Sequence, residues 1–322
     1  CGRICNKRCE DACTRGSIDD PIAIDDIKKF IAEQDMKAEH RYVPPMNSCT
    51  HEKFDQKIAI IGGGPAGLSC AYFLAVQGYK PTVFEKNERP GGMLVYGIPS
   101  YKLEKDVVDA EIEVLRQMGV DIRCGVEVGR DITLDTLRRE GYKAFYVAIG
   151  CQDGRSAGIP GEDTAGVMTA VDFLHAVAEN ETYPVEGRAV VIGGGNVAID
   201  VARAAARTAA VSVDMYCLEP RESMPASAEE AAEAEDEGVA IRCGWGPKEI
   251  LAEAGRVTGI VLKRCVSVFD ENGRFCPRYD EADTITVPCE HVFLSIGQSI
   301  RWGSLLDGAK VELGRGGAAV AD

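Results

Sequence analysis

Two short glycine-rich turns, each followed at a distance by a glutamate, carry the chemistry that is easiest to read in this sequence. Gly62-Gly63-Gly64-Pro65-Ala66-Gly67 comes straight after the apolar run Lys57 to Ile61 and opens an apolar stretch, Leu68 to Gln77, closed by Gly78. Glycines at this spacing let the chain turn tightly at Gly62, bring backbone close to a pyrophosphate at Gly64, and pack helix on strand at Gly67. A helix starting there aims free N–H groups and the positive end of its dipole at phosphates. About twenty residues on, Glu85 ends the next apolar run, where a carboxylate can bond the hydroxyls of an adenosine ribose.

The pattern recurs. Arg188 to Ile192 leads into Gly193-Gly194-Gly195-Asn196-Val197-Ala198, a helical stretch runs from Ile199 to Arg207, and the run Val211 to Leu218 ends on Glu219. Alanine is an allowed variant in the third glycine position. Each copy also has a later apolar run that ends on a glycine, Phe145 to Gly150 and Val292 to Gly297. One such turn is weak evidence; two complete strand–turn–helix–strand–acid units are strong.

The rest of the chain bounds what these units can belong to. At 322 residues and 45% hydrophobic there is material for two or three packed domains. The net charge of −15 argues against nucleic acid as a partner. The longest apolar run, Cys70 to Val76, is far shorter than the roughly 20 residues of a spanning helix, so no membrane is expected. Cys1 to Asp20 has no apolar segment of the signal-peptide kind. Thirteen cysteines, four of them at Cys1, Cys5, Cys9 and Cys13, point to a reducing compartment, the cytoplasm. An opening residue other than Met suggests a piece of a longer protein. A helix is expected over Ile22 to Met36, from Ile24, Ile27, Phe30 and Ile31 at helical spacing, and a linker over Arg41 to Asp55, with Pro44-Pro45.

Further segments resemble one family. Gly91-Gly92-Met93-Leu94-Val95-Tyr96-Gly97-Ile98-Pro99, Asp106-Val107-Val108-Asp109 with Glu111-Ile112, and Gly158-Ile159-Pro160-Gly161-Glu162-Asp163 are similar to the small subunit of glutamate synthase. Met224-Pro225-Ala226 and the opening Cys1-Gly2-Arg3-Ile4-Cys5 with Cys9-Glu10 and Cys13 belong to the same pattern. Dihydropyrimidine dehydrogenase and the NAD(P)H-reducing subunits of electron-bifurcating complexes share it. The resemblance covers essentially the whole chain. It implies an α/β fold of two nested Rossmann-like dinucleotide-binding domains, a two-dinucleotide-binding flavoprotein, behind a short helical cysteine-rich segment. The expected boundaries are 1–50 for that segment, 57–150 for the first part of an FAD domain, 151–296 for an inserted NAD(P) domain, and 297–322 for the return.

By the same resemblance the first unit holds FAD through Gly62, Gly64, Pro65, Ala66, Gly67, Glu85 and Lys86. Gly92, Met93 and Leu94 fall near pyrophosphate and flavin, and Gly150 ends the unit. Lys102 falls where the family has an arginine near the flavin ring. The second unit holds the nicotinamide dinucleotide through Gly193, Gly195, Asn196, Val197, Glu219, Arg221 and Gly297. Cys5, Cys9 and Cys13 match half of a [4Fe-4S] ligand set, thiolates being the usual cluster ligands. Cys1 is a replacement for a further ligand, since Lys28 stands at the family's non-cysteine ligand position and an ammonium cannot ligate. Zinc is the rival reading, though zinc sites more often use C-x₂₋₄-C pairs. The chain stops at Ala321-Asp322, just before a Gly-Asp segment by which the family also binds FAD, so weak FAD binding is one expectation.

The implied function is an oxidoreductase that passes hydride between NAD(P)H and FAD. Electrons then go onward to iron–sulfur clusters and a partner, a larger redox subunit or a ferredoxin-type acceptor in a hetero-oligomeric complex. The cofactors carry that chemistry, so no side chain is expected to be catalytic. Disulfide reduction needs a Cys-x-x-Cys, which the chain lacks. The other reading is a non-catalytic electron-relay or scaffold subunit. One departure stands out: where the family has two basic residues for a 2′-phosphate, this chain has Leu218 and Glu219. A carboxylate there accepts from a 2′-hydroxyl and repels a 2′-phosphate, so NADH is expected over NADPH, with Arg221 as a partial offset.

Overall fold

The structure, a computed structural model, describes residues 2–45, 56–314 and 316–321. The chain divides into two units, Cys1–Gly150 with Trp302–Val311, and Cys151–Arg301 with Glu312–Asp322.

The first unit opens on α1 (Arg8–Asp11), a 3-10 turn (Thr14–Ser17) and α2 (Ile24–Lys37). The helix forms where apolar spacing predicts it, but that spacing does not mark a buried face. Ile27, Phe30 and Ile31 are 50%, 62% and 61% exposed. Periodicity makes a stripe; burying it takes a second layer, which a stretch this short does not supply. Charges tie the segment down instead. Arg3 pairs with Glu33 at 3.1 Å and with Glu104 at 2.8 Å, and Arg41 with Asp35 at 2.9 Å and Glu111 at 3.0 Å.

Next come β1 (Lys57–Ile61), α3 (Pro65–Val76), β2 (Lys80–Phe84), α4 (Met93–Tyr96), α5 (Lys105–Gln117), β3 (Asp121–Arg123), α6 (Leu134–Arg139) and β4 (Tyr142–Val147). The four strands form one parallel sheet in the order β3-β2-β1-β4. β1 is central and buried on both faces, which is why it reads as an unbroken apolar run. Ala59 and Ile61 join Leu137 and Leu305 on one face; Ile60 joins Ala71 and Ala75 of α3 on the other. α3 crosses β1 very closely. A Cβ placed on Gly67 would lie 2.0 Å from the Gly62 carbonyl oxygen and 3.1 Å from Ile60 Cγ2.

The second unit contains β5 (Asp153–Gly154), β6 (Val167–Thr169), α7 (Ala170–Glu179), β7 (Gly187–Ile192), α8 (Asn196–Ala206), β8 (Ala210–Cys217), α9 (Ala228–Asp236) and β9 (Ala240–Cys243). It continues through β10 (Trp245–Glu253), β11 (Arg256–Phe269), β12 (Phe275–Pro288), β13 (His291–Leu294) and β14 (Gln298–Ser299). A parallel sheet in the order β6-β13-β7-β8-β9 is joined by an antiparallel meander β10-β11-β12. Alternation along β7 separates two cores. Ala189 and Val191 face the helices with Phe173, Ile199 and Phe293; Val190 and Ile192 face the meander with Ile260 and Leu262. Each such buried aliphatic side chain contributes about 1.5–3 kcal/mol. Residues 297–301, expected in the returning piece, stay with the second unit because β14 pairs antiparallel with β5. No helix among the described residues is long and apolar enough to cross a membrane.

One ion cluster fastens α9 to α8. Arg203, 6% exposed, donates to Glu233 at 2.5 Å and to Glu237 at 2.6 Å, and Arg207 also reaches Glu237 at 2.6 Å. Burial alone would raise the Glu237 pKa, but the two guanidinium groups outweigh it and hold it at about 2.

Two predictions follow from this packing. Gly67→Ala should lower the urea midpoint, by about 1–3 kcal/mol or more, because the obstacle it meets is backbone that cannot rotate away. An unchanged midpoint would show that α3 does not lie so close to β1. Glu237 has a folded pKa below its unfolded one, so its contribution is fully present above the unfolded value of about 4.5 and is lost as pH falls toward about 2. Glu237→Gln should therefore cost about 2–3 kcal/mol at pH 7, and the gap between variant and parent should close in acid. Urea titrations at pH 7 and pH 3 decide this; a gap of equal size at both would rule it out.

Candidate functional site

The two glycine turns are held by one repeated set of bonds. Gly62 N–H donates to the Phe84 carbonyl at 2.8 Å, and Gly193 N–H to the Tyr216 carbonyl at 2.9 Å. Each turn thus hangs from a neighbouring strand, β2 or β8. On the other side, Ala148 N–H donates to the Ile61 carbonyl at 2.8 Å and Ser295 N–H to the Ile192 carbonyl at 2.7 Å. The carbonyl oxygen of Ala148 or Ser295 then lies 2.3 Å from where a Cβ on the first glycine would stand. With φ of +109° at Gly62 and +147° at Gly193, only glycine meets both demands. The middle glycine is matched too: the Gly63 carbonyl accepts from Gly91 N–H at 2.7 Å, and the Gly194 carbonyl from Ala226 N–H at 2.9 Å.

No side chain caps the start of α3 or α8, as is also true of α2 and α5, whereas Thr133, Thr169 and Ser227 cap α6, α7 and α9. The first N–H groups after each glycine turn are thereby left to an anion. Pro65 and Ala66, like Asn196 and Val197, are exposed on that first turn, while Gly67 and Ala198 are buried.

In the first unit Glu85 is 3% exposed. Its Oε2 accepts from Gly63 N–H at 2.7 Å and its Oε1 from Asn87 N–H at 2.8 Å. A carboxylate has about four lone-pair sites, so both oxygens retain capacity for hydroxyls. Lys86 beside it is exposed. Gly92 packs directly against Gly64: a Cβ on Gly92 would lie 2.8 Å from Gly64 Cα, so only a residue without a side chain lets the two backbones meet. Met93 and Leu94 begin α4 at that point. Their turn is fastened by Lys105, whose ammonium donates to the Leu94 carbonyl at 2.9 Å and to the Ile98 carbonyl. Lys105 was not singled out from sequence, because nothing local distinguishes it from Lys102. Lys102 is half-buried, and its N–H bonds the Pro99 carbonyl at 3.0 Å. Gly150 is exposed with φ +68°.

The second unit holds a cavity of about 620 Å³ bordered by Gly193, Gly195, Glu219, Trp245, Lys263 and Tyr279, among others. Glu219 repeats the placement of Glu85. Its Oε2 lies 2.8 Å from a Cβ position on Gly194, and Glu85 Oε2 lies 3.0 Å from that on Gly63. Sequence reading missed Lys263 and Tyr279, which reach the cavity from the meander. The signal lay in Gly246, where a Cβ would meet Tyr279 Cε1 at 2.6 Å and Leu218 Cδ2 at 2.8 Å. Lys263 Nζ lies 4.3 Å from the Tyr279 ring centre. Arg221 does not border this cavity. It pairs with Glu235 at 2.7 Å and lines a second one, also of about 620 Å³. Gly297 is exposed, and its carbonyl accepts from Arg155 N–H at 3.1 Å.

The cysteine segment behaves differently. Cys9 is exposed, and Cys5 and Cys13 are half-buried. Cys1 lies outside the described residues. Lys28 Nζ donates to Cys5 Sγ at 3.4 Å, and backbone N–H groups, that of Ile22 first, hold the Cys13 thiol below its ordinary pKa. Among the described residues no group of three or more His, Cys, Asp or Glu is gathered closely enough to hold a metal ion.

Comparison with known proteins agrees with the twin-turn geometry. The chain is 37% identical to the NADP(+)-dependent formate dehydrogenase subunit beta of Moorella thermoacetica, an alignment covering 100% of this chain and 48% of that one. It is 38% identical to the glutamate synthase [NADPH] small chain of Halomonas elongata, covering 92% of this chain and 64% of that one. The chain therefore spans about half to two thirds of these relatives' length. Among solved structures, FprA of Mycobacterium tuberculosis matches with a TM-score of 0.65 at 22% identity, over 76% of this chain and 71% of that one, a likeness of fold. The family model for pyridine nucleotide-disulphide oxidoreductases matches residues 56–322. The chain belongs to the pyridine nucleotide-disulphide oxidoreductase family, with the α/β fold of its two-dinucleotide-binding flavoproteins.

Proposed function

We propose that this chain is the reductase module of a larger redox complex, passing hydride between NADH and FAD and electrons onward to a partner. The repeated turn-and-acid geometry carries the reading: each unit has an uncapped helix start for a pyrophosphate and a glutamate set against its middle glycine for a ribose. Two intact sites favour an enzyme over a relay or scaffold subunit.

The residues of the first unit fit FAD. The turn at Gly64, with Gly92 packed against it, carries no side chain that would keep a pyrophosphate from its backbone, and Glu85 receives ribose hydroxyls. When bound, the flavin supplies two-electron chemistry toward a nicotinamide and single-electron chemistry toward an acceptor. This chain's residues bind and orient. Gly64, Ala66 and Gly67 present N–H groups, Gly62 and Pro65 shape the turn, Gly92 to Leu94 with Lys105 fix the segment packed against it, and Lys102 and Gly150 belong to the same unit. Gly193 to Val197, Glu219 and Gly297 do the corresponding work in the second unit. The [4Fe-4S] assignment of Cys1, Cys5, Cys9 and Cys13 rests on the glutamate synthase resemblance, and no electron step is assigned to them. The partner is a larger redox subunit or a ferredoxin-type protein, as the relatives' names of subunit beta and small chain suggest.

Glu85→Ala should weaken flavin retention by about 1.5–3 kcal/mol, the value of hydrogen bonds to a charged group. Flavin absorbance after dialysis measures it, and equal retention in parent and variant would remove Glu85 from the ribose.

Nucleotide preference tests the second unit. Both named relatives carry NADP or NADPH in their names, yet Glu219 stands at the ribose position here and Arg221 is turned to Glu235. A 2′-phosphate beside a carboxylate is repelled and loses the bonds a 2′-hydroxyl makes. The mismatch is worth about 1–3 kcal/mol, or roughly five- to a hundredfold in affinity. NADH should reduce the flavin at lower concentration than NADPH, and Leu218→Arg with Glu219→Arg should narrow or reverse the preference. Equal or better use of NADPH by the parent in parallel titrations overturns it.

A further inference from the structure

Two thiols that hydride transfer does not use lie directly behind the nucleotide cavity. Cys217 ends β8 and Cys243 ends β9, and the two are Cα partners in the parallel ladder. Their sulfurs are 3.7 Å apart. Paired strands lie about 4.7–4.9 Å apart, within the roughly 4.4–6.8 Å Cα separation that a disulfide spans. Cys217 is 1% exposed and borders the nucleotide cavity. Its Cβ lies 3.0 Å from a Cβ position on Gly194, and its thiol donates to the Glu219 carbonyl at 3.5 Å. Cys243 is half-buried and opens on the second cavity, the one that Arg221 lines. A cysteine used as a small apolar filler accounts for Cys217. It does not account for a second thiol in contact with the first and open to a cavity.

We propose that Cys217 and Cys243 form a reversible disulfide that lowers nucleotide affinity, made by a peroxide that enters through the second cavity. The proposal rests on reading the cavity at Gly193 and Glu219 as the nicotinamide dinucleotide site. In the first step the Cys243 thiolate attacks peroxide. An S–O bond forms, the O–O bond breaks, and the departing hydroxide takes up the proton that the thiol released, leaving a sulfenic acid and one water. In the second step the Cys217 sulfur displaces the sulfenic hydroxyl. An S–S bond forms, the S–O bond breaks, and the hydroxyl leaves as a second water with the Cys217 proton. Two thiols lose two electrons and two protons; one peroxide becomes two waters. A dithiol returns the electrons. Cys217 is 1% exposed while Cys243 is half-buried on the second cavity, so a peroxide entering there meets Cys243 first.

The bond draws the sulfurs from 3.7 Å to about 2.05 Å and removes the thiol proton that bonds the Glu219 carbonyl. The end of β8 moves, and with it Glu219 and the wall behind Gly194.

The test treats the full chain with hydrogen peroxide, alkylates the remaining thiols, digests without reductant and maps linked peptides by mass spectrometry. NADH binding is titrated on the same samples. The expected result is a Cys217–Cys243 peptide together with NADH binding about tenfold weaker, the loss of one hydrogen bond's worth at the ribose acid, restored by dithiothreitol. Cys243→Ser should bind NADH as the reduced parent does and should not respond to peroxide. A linked peptide with unchanged affinity, no linked peptide, or a Cys243–Cys265 bridge instead overturns the proposal while NADH binding by the reduced parent still stands. A reduced parent that does not bind NADH overturns the nucleotide reading itself, and the regulation with it.

Discussion

The first glycine of each turn sits where three strands meet, and there is no room beside it for a side chain. Gly62 donates to a carbonyl of β2 while the residue after β4 donates back to β1; Gly193 repeats this with β8 and the residue after β13. The carbonyl at 2.3 Å from the missing Cβ fixes the turn in both units. Once it is fixed, the helix must leave at one angle, with its uncapped N–H groups pointing out of the sheet's carboxyl end. The close crossing at Gly67 follows from the same geometry, because α3 has to pass over the strand that delivered the turn.

That constraint also sets the electrostatics. The strand that accepts the first glycine's N–H ends one residue before Glu85 in the first unit and two before Glu219 in the second, so the acid arrives beside the middle glycine. A carboxylate near a helix N-terminus is favoured by the dipole, and Glu85 is further paid for by two backbone N–H bonds. A buried acid so held keeps its place without a cation, which leaves room for a neutral ribose.

Much of this was legible because turn, helix and acid are close in sequence and each residue type has one physical reason to be there. The glycines, the buried run of β1 and the recurrence after Arg188 all follow from local chemistry. What sequence could not place came from elsewhere. Lys263 and Tyr279 reach the cavity across an antiparallel meander, whose register is set by bulges and packing. Arg221 is next to Glu219 in sequence, but a carboxylate on α9 draws it to the other cavity. The stripe on α2 is a true helical period, yet period says nothing about whether a second layer covers it. The domain return was placed at 297 because a glycine ends the run there, whereas two further residues pair with β5 before the chain leaves.

Three successive residues at the end of β8 face three different demands. Cys217 meets Cys243 and the Glu219 carbonyl, Leu218 closes over Gly246 as Tyr279 does, and Glu219 faces Gly194. Residues this closely shared do not change independently. A cation introduced at Leu218 gives up its packing over Gly246, a residue of the meander, so its effect is not confined to the ribose side. The cavity's wall is therefore shaped by β8 and β12 together, even though only the β8 half can be read from a local motif.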